Sequence, residues 1–149
     1  MQRMSSRATG RFHESIHGVY FDDLDALGIL HNARYVLLVE RTIGSFWQRL
    51  GGPSSPSIHS DRVHLVRANS IEYLKPVEGT GDVRVRVWVE KLGTTSLIFG
   101  FSVMPMELDE PFARGTRVIV CVDPTSRKPC AWNEAFRTAI APYVRDAAS

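Results

Sequence analysis

The sequence predicts an α+β domain in which one long helix is wrapped by a curled antiparallel sheet. Residues 32–50 place Tyr35, Val36, Val39, Ile43, Phe46, Trp47 and Leu50 at spacings of three and four, the period of a helix. From residue 65 onward the period drops to two and returns in four separate runs. The links between runs are short, Gly93-Thr94-Thr95 being the clearest, which suits hairpins, whereas a parallel crossover needs about a dozen residues. Because Tyr35 through Val39 is apolar on every side, the helix is expected to be covered nearly all round, and curling a single sheet about it is the simplest cover.

The first strand is read from residues 12–21, FHESIHGVYF, which alternate loosely between apolar and polar. Asn32 is the expected N-cap of the helix, since its side-chain oxygen suits a free backbone N–H of the first turn, and Gly51, Gly52 and Pro53 end it. Gly44 inside the helix costs about 1 kcal/mol relative to Ala, so a close backbone approach is expected there. Residues 52–62 read as a surface loop. The strands that follow are 65–74, DVRVRVWVEKL with Val83, Val85, Val87 and Val89 on one face, 96–104 and 115–123. Arg84 and Arg86 read as its solvated face. Residues 133–144 form a short helix capped by Asn133 and interrupted by Pro142.

A chain of 149 residues with 44% hydrophobic content is the size of one domain with a real core, here 11–149 behind a disordered tail at 1–10. The formal charge of +2, without a run of Lys or Arg, gives no reason to expect a nucleic-acid partner. No apolar run approaches the ~20 residues that span a bilayer. The tail lacks the apolar stretch of a leader, and Cys121 and Cys130 are too few for a disulfide framework, so a cytoplasmic protein is expected. Neither HExxH nor CxxC occurs, and His13 and His17 would stand about 13 Å apart on a strand, so no metal site is expected. Phe46, Trp47 and Cys121 read as core.

Residues 21–35, FDDLDALGILHNARY, resemble the signature of the hotdog-fold acyl-CoA thioesterases of the 4-hydroxybenzoyl-CoA thioesterase type. Glu40 stands where their helix usually carries an acid, and residues 71–82, IEYLKPVEGTGD, are similar to their strand with its Pro and Gly-Asp turn. The likeness spans residues 12–130. It implies a hotdog fold, with a long central helix in a five-stranded antiparallel sheet, assembled as a homodimer or homotetramer with sites between subunits. It further implies hydrolysis of an acyl-CoA or acyl-carrier-protein thioester to a free acid and a thiol, with no cofactor other than the coenzyme A of the substrate. The second aspartate of the D-x-D, Asp25, is then the catalytic carboxylate, and Asp23 a loop-structuring residue.

Thioester hydrolysis needs an attacking oxygen and a place for negative charge on the former carbonyl oxygen. Asp25, just ahead of Gly28 and the helix, suits the first need as nucleophile or general base. Free N–H groups near residues 31–33 suit the second, since the helix dipole favours an anion there. By family likeness the Asn32 backbone N–H is the best single candidate. His31 would position substrate or assist proton transfer, while Gly28, free to take positive φ, and Tyr35 would face the substrate. Some family members carry consecutive basic residues in the turn that here reads LGTTSL, residues 92–97. The phosphate contact is therefore expected to differ, with Thr94, Thr95 and Ser96 lining the pantetheine arm. Two other readings stand beside this one: acids that merely cap the following helix, and a non-catalytic acyl-CoA-binding module. Hydratase chemistry is disfavoured, because its motif sets His five residues after Asp with Asn-Pro between, whereas Asp25 and His31 are six apart.

Overall fold

The computed structural model describes residues 10–51 and 63–145. Strand β1, His13–Val19, leads through a single 3-10 turn at Phe21–Asp23 into helix α1, Asn32–Leu50. Strands β2, Val63–Tyr73, β3, Gly81–Leu92, β4, Ser96–Met104, and β5, Ala113–Val122, follow, and helix α2, Glu134–Ile140, closes the chain with a last 3-10 turn at Ala141–Tyr143. The five strands form one antiparallel sheet in the order β1-β3-β4-β5-β2, curled about α1 in the hotdog arrangement. The loop placed at 52–62 lies outside the described residues, as does the tail apart from Gly10.

The period-two rows decide where the core sits. Val83, Val85, Val87 and Val89 of β3 and Leu97, Phe99, Phe101 and Val103 of β4 are all buried and face α1. The helix answers with Tyr35, Leu38, Val39, Ile43 and Phe46. Phe46 is wholly buried and meets Phe99 and Tyr143 edge-on at centroid distances of 6.2 and 4.7 Å, joining helix, sheet and C-terminal turn. Its burial is worth about 1.5–3 kcal/mol. α2 packs Phe136 and Ile140 over the far end of this cluster, and Asn133 caps it as expected by accepting from the Phe136 N–H at 2.7 Å.

Three expectations are corrected. The helix is not covered all round: Glu40, Arg41, Gly44, Gln48 and Arg49 form an exposed face, because the sheet wraps only one side of it in a single chain. Gly44 lies on that face with nothing within 4 Å of an added Cβ, so no backbone of the described residues approaches it. Arg84 and Arg86 are not freely solvated. Glu14 of β1 accepts from Arg86 Nε at 3.0 Å and lies 3.6 Å from Arg84, which also binds Asp109 and the carbonyls of Pro105 and Leu108. Arg86 also lies 3.9 Å over the Phe12 ring.

On its inner face β1 is polar, and hydrogen bonds rather than methyl groups clasp it to α1. His13 Nε2 lies 2.7 Å from Ser45 Oγ and His17 Nε2 lies 2.8 Å from Thr42 Oγ1, which donates to the Leu38 carbonyl. Burial, with Arg49 near His13 and Arg41 near His17, lowers both imidazole pKa values below the ordinary 6.5. The unfolded chain therefore binds protons first as pH falls, so stability is full above about 6.5 and declines below it toward the lowered folded pKa values. Urea denaturation at pH 8 and pH 5.5 should show this loss, and a His13→Gln/His17→Gln variant should lose less stability over the same interval.

Candidate active site

The acid-rich stretch between β1 and α1 is a tightly bonded loop. Asp23 Oδ2 accepts from the Tyr20 N–H at 2.8 Å, its carbonyl accepts from the His31 N–H at 2.9 Å, and its carboxylate stands 3.6 Å from Arg34. Asp23 thus builds the loop and ties it to the helix start. Asp25 is half-buried, and its Oδ1 accepts from the Leu27 N–H at 2.8 Å and the Ile29 N–H at 3.3 Å. Its other oxygen, Oδ2, has no hydrogen-bond partner among the described residues. Gly28 holds φ at +77°, which lets the chain reverse so that its own N–H reaches the Asp25 carbonyl at 2.9 Å. Gly28 O then accepts from Gly79 N–H, also at 2.9 Å, fastening the loop to the turn before β3.

At the helix start the cap differs from expectation. His31, not Asn32, is the N-cap: its Nδ1 accepts from the Ala33 N–H at 3.1 Å, and Asn32 is already the first helical residue. With Nδ1 accepting, a neutral His31 carries its proton on Nε2. The Asn32 backbone N–H has no partner among the described residues. It is the donor that a helix start leaves over.

Asp25, His31, Asn32 and Tyr35 are brought together along one groove of about 460 Å³, with Ile29, Leu30, Tyr73, Leu74, Lys75 and Pro76 completing it. Tyr35 is buried, and that burial raises its phenol pKa above 10, offset in part by a hydrogen bond with the Val77 backbone, so it stays neutral. Its ring meets that of Tyr73 edge-on at 5.0 Å. Thr94, Thr95 and Ser96 do not line this groove. They form the turn from β3 to β4, where the Thr94 carbonyl accepts from Trp132 N–H, that of Thr95 from Cys121 N–H, and that of Ser96 from Trp132 Nε1.

Sequence reasoning missed Tyr73, Lys75 and Arg117. Tyr73 and Lys75 sit inside the quoted IEYLKP run, and a ring and a cation next to a strand-ending proline were the available signal. Lys75 Nζ lies 3.6 Å from Glu110 at the groove rim. Arg117, only 4% exposed, points inward from β5, donates to Asn69 Oδ1 at 2.9 Å, and bonds Glu40 of α1. Its signal was a cation on the inward phase of a strand beside Ile119 and Cys121. Among the described residues no three His, Cys, Asp or Glu side chains converge as a metal site would require. Nor is any described helix long and apolar enough to cross a membrane.

Comparison with known proteins bears on the family and the fold. The family model of the thioesterase-like superfamily matches residues 19–140. The chain is similar to the acyl-CoA thioester hydrolase YbgC of Escherichia coli, at 29% identity over 114 residues covering 76% of this chain and 84% of that protein. Among solved structures, a 1,4-dihydroxy-2-naphthoyl-CoA thioesterase from Synechocystis superposes with a TM-score of 0.75 at 19% identity, covering 88% of this chain and 96% of that one. A Staphylococcus aureus protein in complex with CoA reaches 0.79 at 14% identity, covering 93% and 87%. At these identities the two structures speak for the hotdog fold alone.

The left-handed backbone at Gly28 is the one place in the loop where a side chain is excluded by conformation rather than by space, since nothing lies within 4 Å of an added Cβ. Gly28→Ala should therefore destabilise the protein by about 1 kcal/mol through backbone strain, read as a lower urea midpoint at unchanged slope.

Proposed function

The chain belongs to the thioesterase-like superfamily, and from that premise we propose that it is an acyl-CoA thioesterase with a site of the 4-hydroxybenzoyl-CoA thioesterase type. The substrate is an acyl-CoA or acyl-carrier-protein thioester and the products are a free carboxylic acid and a thiol. The observation that carries this reading is the pairing, in one groove, of a carboxylate oxygen without a partner on Asp25 with an unspent backbone donor at Asn32. The thioester carbonyl oxygen would rest on the Asn32 N–H at the positive end of α1, where charge developing during attack is stabilised. Asp25 Oδ2 would attack the acyl carbon, or take a proton from a water that does so. Collapse of the tetrahedral species would expel the thiolate: after direct attack the acyl group stays on Asp25 as an anhydride that a water then hydrolyses to the free acid, and on either path the proton given up by that water passes to the thiolate. His31, which lines the groove, would steer the carbonyl or the departing sulfur, and Tyr35 would shape the approach of the acyl group, while Gly28, outside the groove lining, would act by holding the turn that carries Asp25.

No cofactor beyond the coenzyme A of the substrate is part of this reading, and it places the enzyme in the cytoplasm. A homo-oligomer, dimer or tetramer, completes it. β2 is an edge of the sheet, eleven residues long, with Leu65 52% and Val66 46% exposed, and such an edge is ordinarily covered. A second subunit laid there would bring its own Thr94, Thr95 and Ser96 toward the pantetheine arm.

Thiol release from short, long, branched and aromatic acyl-CoAs is expected for the wild type, and kcat/KM should fall by about 100-fold or more in Asp25→Asn. Wild-type rates in that variant would exclude Asp25, and acyl-CoA binding without turnover, on carrier-protein thioesters as well, would establish the binding module instead. Sedimentation equilibrium should give at least twice the 16.7 kDa chain mass, and a charge placed on the edge by Val66→Lys should lower it.

A further inference from the structure

Tyr73 stands at the last residue of β2, half-exposed, with no acid or base chemistry assigned to it. Its phenol makes two contacts at once. The hydroxyl donates to the Asn32 carbonyl at 3.1 Å, and the ring lies edge-on to Tyr35, 5.0 Å between centroids at 80°. Asn32 is thereby held from both sides: the preceding residue is bonded through its N–H to the Asp23 carbonyl, and its own carbonyl is bonded to Tyr73. These bonds flank the one amide of the first turn that no group of the described residues uses.

From this geometry we infer that Tyr73 is a positioning residue for the hydrolytic reaction, fixing the first helical residue so that the Asn32 N–H keeps its aim into the groove. The inference rests on the reading of Asp25 and Asn32 given above. Its physical content is preorganisation: a donor serves a developing oxyanion only while held where that charge appears, and a first-turn residue is otherwise the most easily frayed part of a helix. The Asn32 carbonyl remains part of the helical ladder without the phenol, so the hydroxyl is not needed for the helix to form. Tyr73 also ties the edge strand to the reacting end of α1, since a shift of the end of β2 would be passed to Asn32 through a single bond.

Tyr73→Phe removes the hydroxyl and keeps the ring against Tyr35. With the best acyl-CoA of the panel, kcat should fall about tenfold while KM stays within about twofold, the signature of an interaction used in the transition state rather than in binding. The thermal midpoint should be unchanged, and the carbonyl carbon resonance of Asn32 should move upfield in the variant. Turnover abolished by Asp25→Asn but untouched by Tyr73→Phe overturns the inference and leaves the thioesterase reading standing. A rise in KM alone, or an unmoved Asn32 carbonyl resonance, also overturns it. A wild type without turnover on any thioester removes both.

Discussion

Everything at the candidate site depends on how α1 is seated on the valine row of β3. Val83, Val85, Val87 and Val89 offer the helix a continuous apolar strip, and Leu38, Val39, Ile43 and Phe46 lie against it. That contact holds the middle and C-terminal half of the helix, while the aromatic cluster of Phe46, Trp47, Phe136 and Tyr143 anchors its far end. The first turn is left at the margin of the sheet, beside the groove. A helix start has backbone donors that the helix itself cannot use, and here those of His31, Ala33 and Arg34 find acceptors close by, while that of Asn32, a groove residue, has none among the described residues.

The crowding of acids before that helix resolves into separate duties. Asp23 spends its carboxylate on Tyr20 and Arg34, and so the loop has a shape. Asp25 divides its two oxygens: Oδ1 is held by two backbone N–H groups, and that grip restricts where Oδ2 can point. A carboxylate with both oxygens unbound would be free to rotate, whereas the orientation of this one is already restricted before any ligand arrives. Asp25 does not cap the helix, as a reading of the acids as mere caps would require: its bonds are to loop N–H groups, and the cap is His31.

The sequence made the periodic parts plain. The helix at 32–50 and the runs of β3 and β4 were legible because apolar spacing over ten or more residues is a strong signal, and Asn133 was a correct cap for the same local reason. Errors arose where a local rule met a long-range fact. Asn has the better intrinsic preference for capping, yet the loop held by Asp23 delivers His31 to that position. The helix looked apolar all round because Tyr35 to Val39 is an unbroken run, whereas Glu40, Arg41, Gln48 and Arg49 further along mark a face the sheet does not reach. Asp25, Gly28, His31 and Asn32 could be nominated because they lie within a dozen residues of one another. Tyr73, Lys75 and Arg117 carried only weak local signals, since each comes near the helix region or the groove only through pairings made across the whole domain.

The strand order has a consequence for how this chain comes to be folded. β2 is made early but has only β5 as its partner, with Val63 meeting Val122 and Tyr73 meeting Ala113. Until the last strand has left the ribosome, β2 has nothing to pair with in its own sheet, although β3 and β4 can already form their hairpin. Pairings of such wide separation, like those of β1 with β3, close a large loop before any contact repays it, and so lag behind the β3–β4 hairpin. During that interval Leu65, Val66 and the unpaired backbone on both sides of β2 are open to other nascent chains. The strand that ends at the candidate groove is therefore also one that stays exposed to misassociation until the last strand is made.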